Sequence, residues 1–131
     1  MQLIAFGVNH TTATVDVRER LSFAPEQIPY ALRELTQATP AREAVILSTC
    51  NRTEIYCGLD DVCQDQIVTW LAHYQQMPLD VLRQYLYTYD TNSAVRHLLR
   101  VACGLDSMVL GEPQILGQLK SAYHTAQEHQ T

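Results

Sequence analysis

Lysine is almost missing from this chain. Lys120 is the only one, and the remaining Lys/Arg side chains are arginines. With a net charge of −5 and a pI near 5.4, a general phosphate-gripping surface is excluded, so any contact with nucleic acid has to be local and built from arginine. Long hydrophobic runs are missing too. None approaches the roughly 20 residues that span a bilayer, so no membrane association is expected. The opening Met1-Gln2-Leu3-Ile4-Ala5-Phe6 lacks a basic start and a small-residue cleavage site, which argues against a signal peptide and for a soluble, cytoplasmic protein. The four cysteines, Cys50, Cys57, Cys63 and Cys103, contain no CxxC pair, and disulfides are not expected. Cysteines and histidines nowhere fall at zinc-finger spacing, so no metal is expected. Glycine is scarce, with 5 residues and no GxGxxG, which leaves no visible dinucleotide site. Gly111 and Gly117 are followed by Gln118 where a phosphate loop needs lysine.

What is present suits one folded domain. The chain has 131 residues, 47% hydrophobic and 18% charged, enough for a single core. An apolar strand over 3–8 leads into the polar stretch Asn9-His10-Thr11-Thr12. Ile28, Ala31, Leu32 and Leu35 recur on one helical face, with the regular helix expected from Pro29. The apolar runs 44–47 and 55–57 flank Ser48-Thr49-Cys50-Asn51-Arg52-Thr53-Glu54, too short a link for anything but a hairpin. Asn51 there tolerates a left-handed turn. Ile67, Trp70, Leu71 and Tyr74 mark a second helix, with Trp70 as a core residue, and 85–89 alternates as a strand with three tyrosines on one face. A third helix carries the stripe Val95, Leu98, Leu99 and Ala102, with Arg96, His97 and Arg100 turned away. A fourth opens at Glu112-Pro113 and keeps its apolar spacing almost to the last residue, as if the chain were cut within a helix.

The order β-α-β-β-α-β-α predicts an α+β fold. It fits a ferredoxin-like sandwich, one antiparallel sheet with helices packed on one face, followed by the start of a long linker helix. The domain is expected over 1–110 and the linker over 111–131.

Cys50 is the candidate nucleophile on physical grounds. A reachable thiol at a hairpin tip, with the cation of Arg52 beside it, is the setting in which a thiolate attacks. The plain alternative is an ordinary turn cysteine. Cys57 in a strand, Cys63 at a helix start and Cys103 at a helix end are weaker candidates. His97 divides between a solvated helix face and an imidazole pointing into a cleft near Cys50.

Three stretches taken together resemble one family. They are Gly7-Val8-Asn9-His10-Thr11-Thr12-Ala13 with Arg18-Glu19, Ser48-Thr49-Cys50-Asn51-Arg52-Thr53-Glu54, and the run from Gly104 to Gln118. In this order they resemble the signatures of bacterial glutamyl-tRNA reductases, in the N-terminal catalytic domain. Thr14 stands where that family usually has Pro, and Cys103 where it often has Ser; neither matches a catalytic position. The resemblance implies that Cys50 attacks the ester of glutamyl-tRNA to give a thioester, with His97 as a further catalytic residue. It implies a glutamate pocket of Thr49, Asn51, Arg52, Ser107, Glu112, Pro113, Gln114 and Gln118. Arg52 would fork onto the substrate's side-chain carboxylate, and Glu112 would hold its ammonium. It further implies reduction by NADPH in the full-length enzyme, held outside this chain, to glutamate-1-semialdehyde for tetrapyrrole synthesis. Expected partners are glutamyl-tRNA, the downstream aminomutase and a second copy in a homodimer. Two other classes remain open: a self-contained thiol hydrolase, and a non-catalytic module whose tyrosine face holds RNA or a protein.

Overall fold

A computed structural model describes residues 2–59 and 64–102. Four strands, β1 (Gln2–Asn9), β2 (Glu43–Ser48), β3 (Arg52–Leu59) and β4 (Tyr87–Asp90), form one sheet in the order β2-β3-β1-β4. Each neighbouring pair is antiparallel. Chain order and spatial order together make the split β-α-β arrangement, with the expected α+β topology.

Side chains alternate across a strand, so each face of the sheet collects every second residue. On the first face Ile4, Phe6, Ile46, Ile55, Cys57 and Leu59 join a core with Leu32, Leu35, Ile67, Leu71 and Leu82. Those partners come from α2 (Ile28–Ala38), α3 (Gln64–Tyr74) and α4 (Leu79–Tyr85). Trp70 belongs to this core and stacks on Tyr74. On the second face Ala5 and Tyr56 pack with Ala94, and Leu3, Val45, Tyr89 and Leu98 border them. Ala94 and Leu98 lie on α5 (Thr91–Ala102). The helices on one face are therefore α2 to α4, and α5 adds a cover on the other. The two central strands are buried on both sides as a result; every residue of β3 is buried.

Several local expectations shift. A short helix, α1 (Val15–Leu21), follows the first turn, capped by the Thr14 hydroxyl accepting from Val17 N at 3.5 Å. Its single apolar turn is too brief for periodicity to reveal. A 3-10 turn over Pro25–Gln27 precedes α2, which begins at Ile28, with Pro29 in its first turn. The tyrosine strand starts later than its alternation implied, because α4 keeps Tyr85 and ends at a cap on Leu86. On α5 the buried stripe contains Ala94 and His97, while Arg96 and Arg100 are exposed. His97 is thus on the sheet side of the helix, contrary to the apolar periodicity.

At the end of α3, Met77 N donates to Ala72 O (2.9 Å) and Gln76 N donates to His73 O (3.2 Å). This is a Schellman ending with Gln76 at its left-handed position, φ 55°. Glycine removes the left-handed penalty of roughly 1–2 kcal/mol but gains unfolded-chain entropy. Gln76→Gly should therefore stabilise the domain by about 0.5–1 kcal/mol in denaturant melts, whereas destabilisation would mean that the Gln76 side chain contributes contacts of its own.

Candidate active site

Thr49, Cys50 and Asn51 connect β2 to β3. Thr49 N donates to Arg52 O at 2.8 Å and closes the turn. The Thr49 hydroxyl accepts from Asn51 N (3.0 Å) and Arg52 N (3.2 Å), supplying partners for amides that no strand pairs. Neither Cys50 nor Asn51 has a positive φ; the threonine makes the turn without the left-handed conformation that Asn51 would have tolerated. Cys50 is exposed, and its thiol's described hydrogen-bond contact is donation to Asn51 Oδ1 at 3.8 Å. Behind the turn, Ser48 Oγ accepts from Phe23 N (2.9 Å) and bonds Thr53 Oγ1 (3.2 Å), anchoring the hairpin to the loop after α1. Cys57, by contrast, is fully buried, and desolvation pushes its thiol up to about 12. It is chemically silent at neutral pH.

Register places the Asn9 turn beside this one, since Asn9 pairs with Arg52. Asn9 Oδ1 accepts from Thr11 N (2.9 Å) and Thr11 Oγ1 (2.6 Å). Two hydroxyl-braced turns thus share one end of the sheet.

The second face carries Arg52, Glu54 and Tyr56 in alternate positions of β3. Arg52 and Glu54 are 0% and 1% exposed. Glu54 Oε2 accepts from Arg52 Nη1 at 3.2 Å, from the Tyr87 hydroxyl and from His97 Nε2. Its other oxygen accepts from the Tyr56 hydroxyl at 2.7 Å. A carboxylate can only accept, so Nε2 of His97 carries a hydrogen. The imidazole stacks on Tyr89 (centroids 4.4 Å apart) and meets Tyr87 edge-on (5.3 Å). Burial by itself would raise the Glu54 carboxyl. The hydrogen bond and charge of His97, the Arg52 guanidinium and the Tyr87 hydrogen bond outweigh it and hold Glu54 below the ordinary carboxylate value. Tyr87 moves the other way, kept protonated by burial and by the neighbouring anion.

The structure therefore brings Thr49, Cys50, Asn51, Arg52 and His97 to one region. The path from Cys50 to His97 runs through Arg52 and Glu54. Arg52 is not presented from a hairpin tip but enclosed, and His97 is not on a wet helix face. Ser107, Glu112, Pro113, Gln114 and Gln118, with the division at 110/111 and the linker helix, lie outside the described residues. Glu54 and Tyr56 were not singled out from the sequence, and Tyr87 only as one of three tyrosines on a strand face. The period-two spacing of Arg52, Glu54 and Tyr56 in a strand whose Ile55 and Cys57 face a core was the signal available. Among the described residues no cluster of His, Cys, Asp or Glu could hold a metal ion, and no helix is long and apolar enough to cross a membrane.

Fold and site together define an α+β domain that presents a cysteine at the end of its sheet and organises polar groups beneath a helix on the sheet's second face. The family profile described as "Glutamyl-tRNAGlu reductase, N-terminal domain" matches residues 6–131. The chain is 59% identical over 128 residues to the glutamyl-tRNA reductase of Ectopseudomonas mendocina (strain ymp), covering 98% of this chain and 30% of that protein. It is 56% identical over 131 residues to the glutamyl-tRNA reductase of Neisseria gonorrhoeae (strain FA 1090), covering 100% of this chain and 31% of that one. The solved structure "Glutamyl-tRNA Reductase from Methanopyrus kandleri" superposes with a TM-score of 0.73 at 30% identity, covering 97% of this chain and 28% of that chain. The chain belongs to the glutamyl-tRNA reductase N-terminal domain family, and spans about 30% of the length of the curated relatives it matches.

Gly7 faces Glu54 across the ladder and Tyr87 on its other side. A Cβ there would lie 2.6 Å from Thr53 O, 2.8 Å from Glu54 Cγ and 3.0 Å from the Tyr87 hydroxyl. The first is backbone and cannot step aside. Gly7→Ala should cost about 1–3 kcal/mol in equilibrium unfolding; wild-type stability would mean that β1 can move away from the network.

Proposed function

We propose that this domain is the catalytic, glutamate-recognising part of an NADPH-dependent glutamyl-tRNA reductase, with Cys50 as nucleophile. The observation that carries the reading is an exposed cysteine on a rigid turn, two residues from Arg52 in a family of that name. Sγ attacks the carbonyl carbon of the ester joining glutamate to the tRNA 3′ end. The C–O bond breaks, the 3′ oxygen leaves with a proton, and a thioester remains on Cys50. Turn amides and the Thr49 hydroxyl fix the sulfur's position, while Asn51 lies beside it.

Arg52 recognises the side-chain carboxylate of the substrate. Its guanidinium is tethered to Glu54 at Nη1, so the carboxylate has to displace what covers the side chain in this structure. His97 acts on the same side of the sheet, its ring direction set by Glu54. Ser107, Glu112, Pro113, Gln114 and Gln118 complete the pocket on this reading, as do division of the chain at 110/111 and a linker over 111–131.

No strand among the described residues runs into a glycine-rich turn and helix, so they do not fit a dinucleotide, and the reading assigns NADPH to other parts of the enzyme. Bound there, NADPH would supply the hydride for reduction of the thioester to the aldehyde level, with the Cys50 thiolate as leaving group. The reading also includes a cytoplasmic location, a homodimer, and transfer of the aldehyde to an aminomutase.

Incubation of the enzyme with charged tRNA and quenching should trap a glutamyl adduct on Cys50. Cys50→Ser should form none, while Cys57→Ser should still form it; capture undiminished in Cys50→Ser would refute the assignment. Arg52→Lys keeps the charge but loses the planar fork. It should lose roughly 1–3 kcal/mol of binding and discriminate less between glutamyl and glutaminyl esters. Unchanged selectivity would confine Arg52 to its pairing with Glu54.

A further inference from the structure

We infer that Tyr87 is a positioning residue for the acyl transfer, acting through the Glu54 carboxylate on Arg52 and His97 together. The inference rests on the function proposed above and extends it to a residue to which that reading gives no role.

One oxygen carries the argument. Glu54 Oε2 is the meeting point of the guanidinium from the Cys50 hairpin, the imidazole from α5 and the phenol from β4. These groups come from three elements, and Oε2 is a polar anchor common to all of them. Where Oε2 stands therefore sets the distance between Arg52 and His97. The Glu54 side chain has its own torsional freedom, and the Tyr56 hydroxyl donates to the opposite oxygen, Oε1. The Tyr87 hydroxyl is what fixes Oε2 from the β4 side. Its proton does not leave, because burial and the facing anion keep the phenol neutral. Its ring is held independently, tilted against Tyr89 at 5.5 Å and edge-on to His97 at 5.3 Å. Loss of the hydroxyl alone thus leaves the ring packing and removes the anchor of Oε2 on the β4 side. Gly7 completes the device: the space a side chain would fill there is what lets the Tyr87 hydroxyl reach Glu54.

A merely structural phenol and a positioning phenol differ in what Tyr87→Phe changes. The test uses the intact enzyme and charged tRNA, with single-turnover acylation of Cys50, selectivity for glutamyl over glutaminyl ester, and melting temperature measured in parallel. Tyr87→Phe is expected to slow acylation roughly 10- to 100-fold, the scale of a small misplacement of reacting groups, and to blunt selectivity. Tyr56→Phe removes a phenol from the same carboxylate but from the other oxygen. It should lower the melting temperature comparably while slowing acylation much less. Acylation by Tyr87→Phe within about twofold of wild type, or equal slowing in both variants, would overturn the inference.

A wild-type enzyme that forms no Cys50 adduct would instead refute the reductase reading. The positioning role is still decided then by the ring resonances of His97. They should move in Tyr87→Phe more than in Tyr56→Phe, and an unmoved ring would overturn it.

Discussion

Removing an ionised carboxylate from water costs several kcal/mol unless hydrogen bonds and opposite charge replace the lost hydration. Glu54 is such a carboxylate, 1% exposed in the middle of the sheet. Its replacement for water is a fixed set of donors: a guanidinium, an imidazole and two phenols. Those donors come from β3, β4 and α5, so the second face of the sheet can be covered by a helix only if all of them arrive together. The carboxylate's requirement for partners thus links helix placement to the polar groups of the candidate site. Such a network contributes little net stability compared with an apolar face, but breaking one member leaves a buried charge exposed to its neighbours' field. The value of the arrangement is in fixing geometry.

That geometry ends at the Cys50 turn. The turn itself is stiffened locally, by Thr49 accepting two amides and by Ser48 tied to Phe23. Arg52 belongs to both systems, as the last residue of the turn and the first partner of Glu54. On the proposed function, an Arg52 buried in an ion network is pre-organised, with its rotamer chosen before substrate arrives. The split β-α-β order makes this possible. It puts β3 in the interior of the sheet, where a residue leaving the hairpin is immediately enclosed.

The strands, the two principal first-face helices and the hairpin at Cys50 were legible in the sequence because each carries several periods of its pattern. Ile28 to Leu35 and Ile67 to Tyr74 read as helical stripes and are helices. What failed to show was polar. His97 sits on the buried side of α5, although apolar spacing turned it outward, because its burial is driven by Glu54, a residue 43 positions away. Hydrophobic periodicity has no means of registering a polar contact at that separation. The same blindness hid Glu54 and the bond that Tyr87 makes to it. Tyr85 was drawn into the strand because its alternation with Tyr87 and Tyr89 is genuine, yet α4 continues through it. In α1 the apolar face is one turn long. For the site, the turn residues Thr49 to Arg52 were visible as a motif, whereas the enclosure of Arg52 and its ion pair with Glu54 leave no periodic signature.

The central claim is that Glu54 is ionised in the folded domain and held so by its partners. A carboxyl depressed in the folded state adds stability above its unfolded value and loses it as pH falls through the folded one. The direct measurement is the carboxyl carbon chemical shift of Glu54, followed by NMR from neutral pH downwards in the intact domain. The account predicts an ionised carboxylate throughout the ordinary glutamate range, with protonation only below it and accompanied by loss of the native fold. A Glu54 that takes up its proton at or above the ordinary glutamate value, with the fold unchanged, would contradict it.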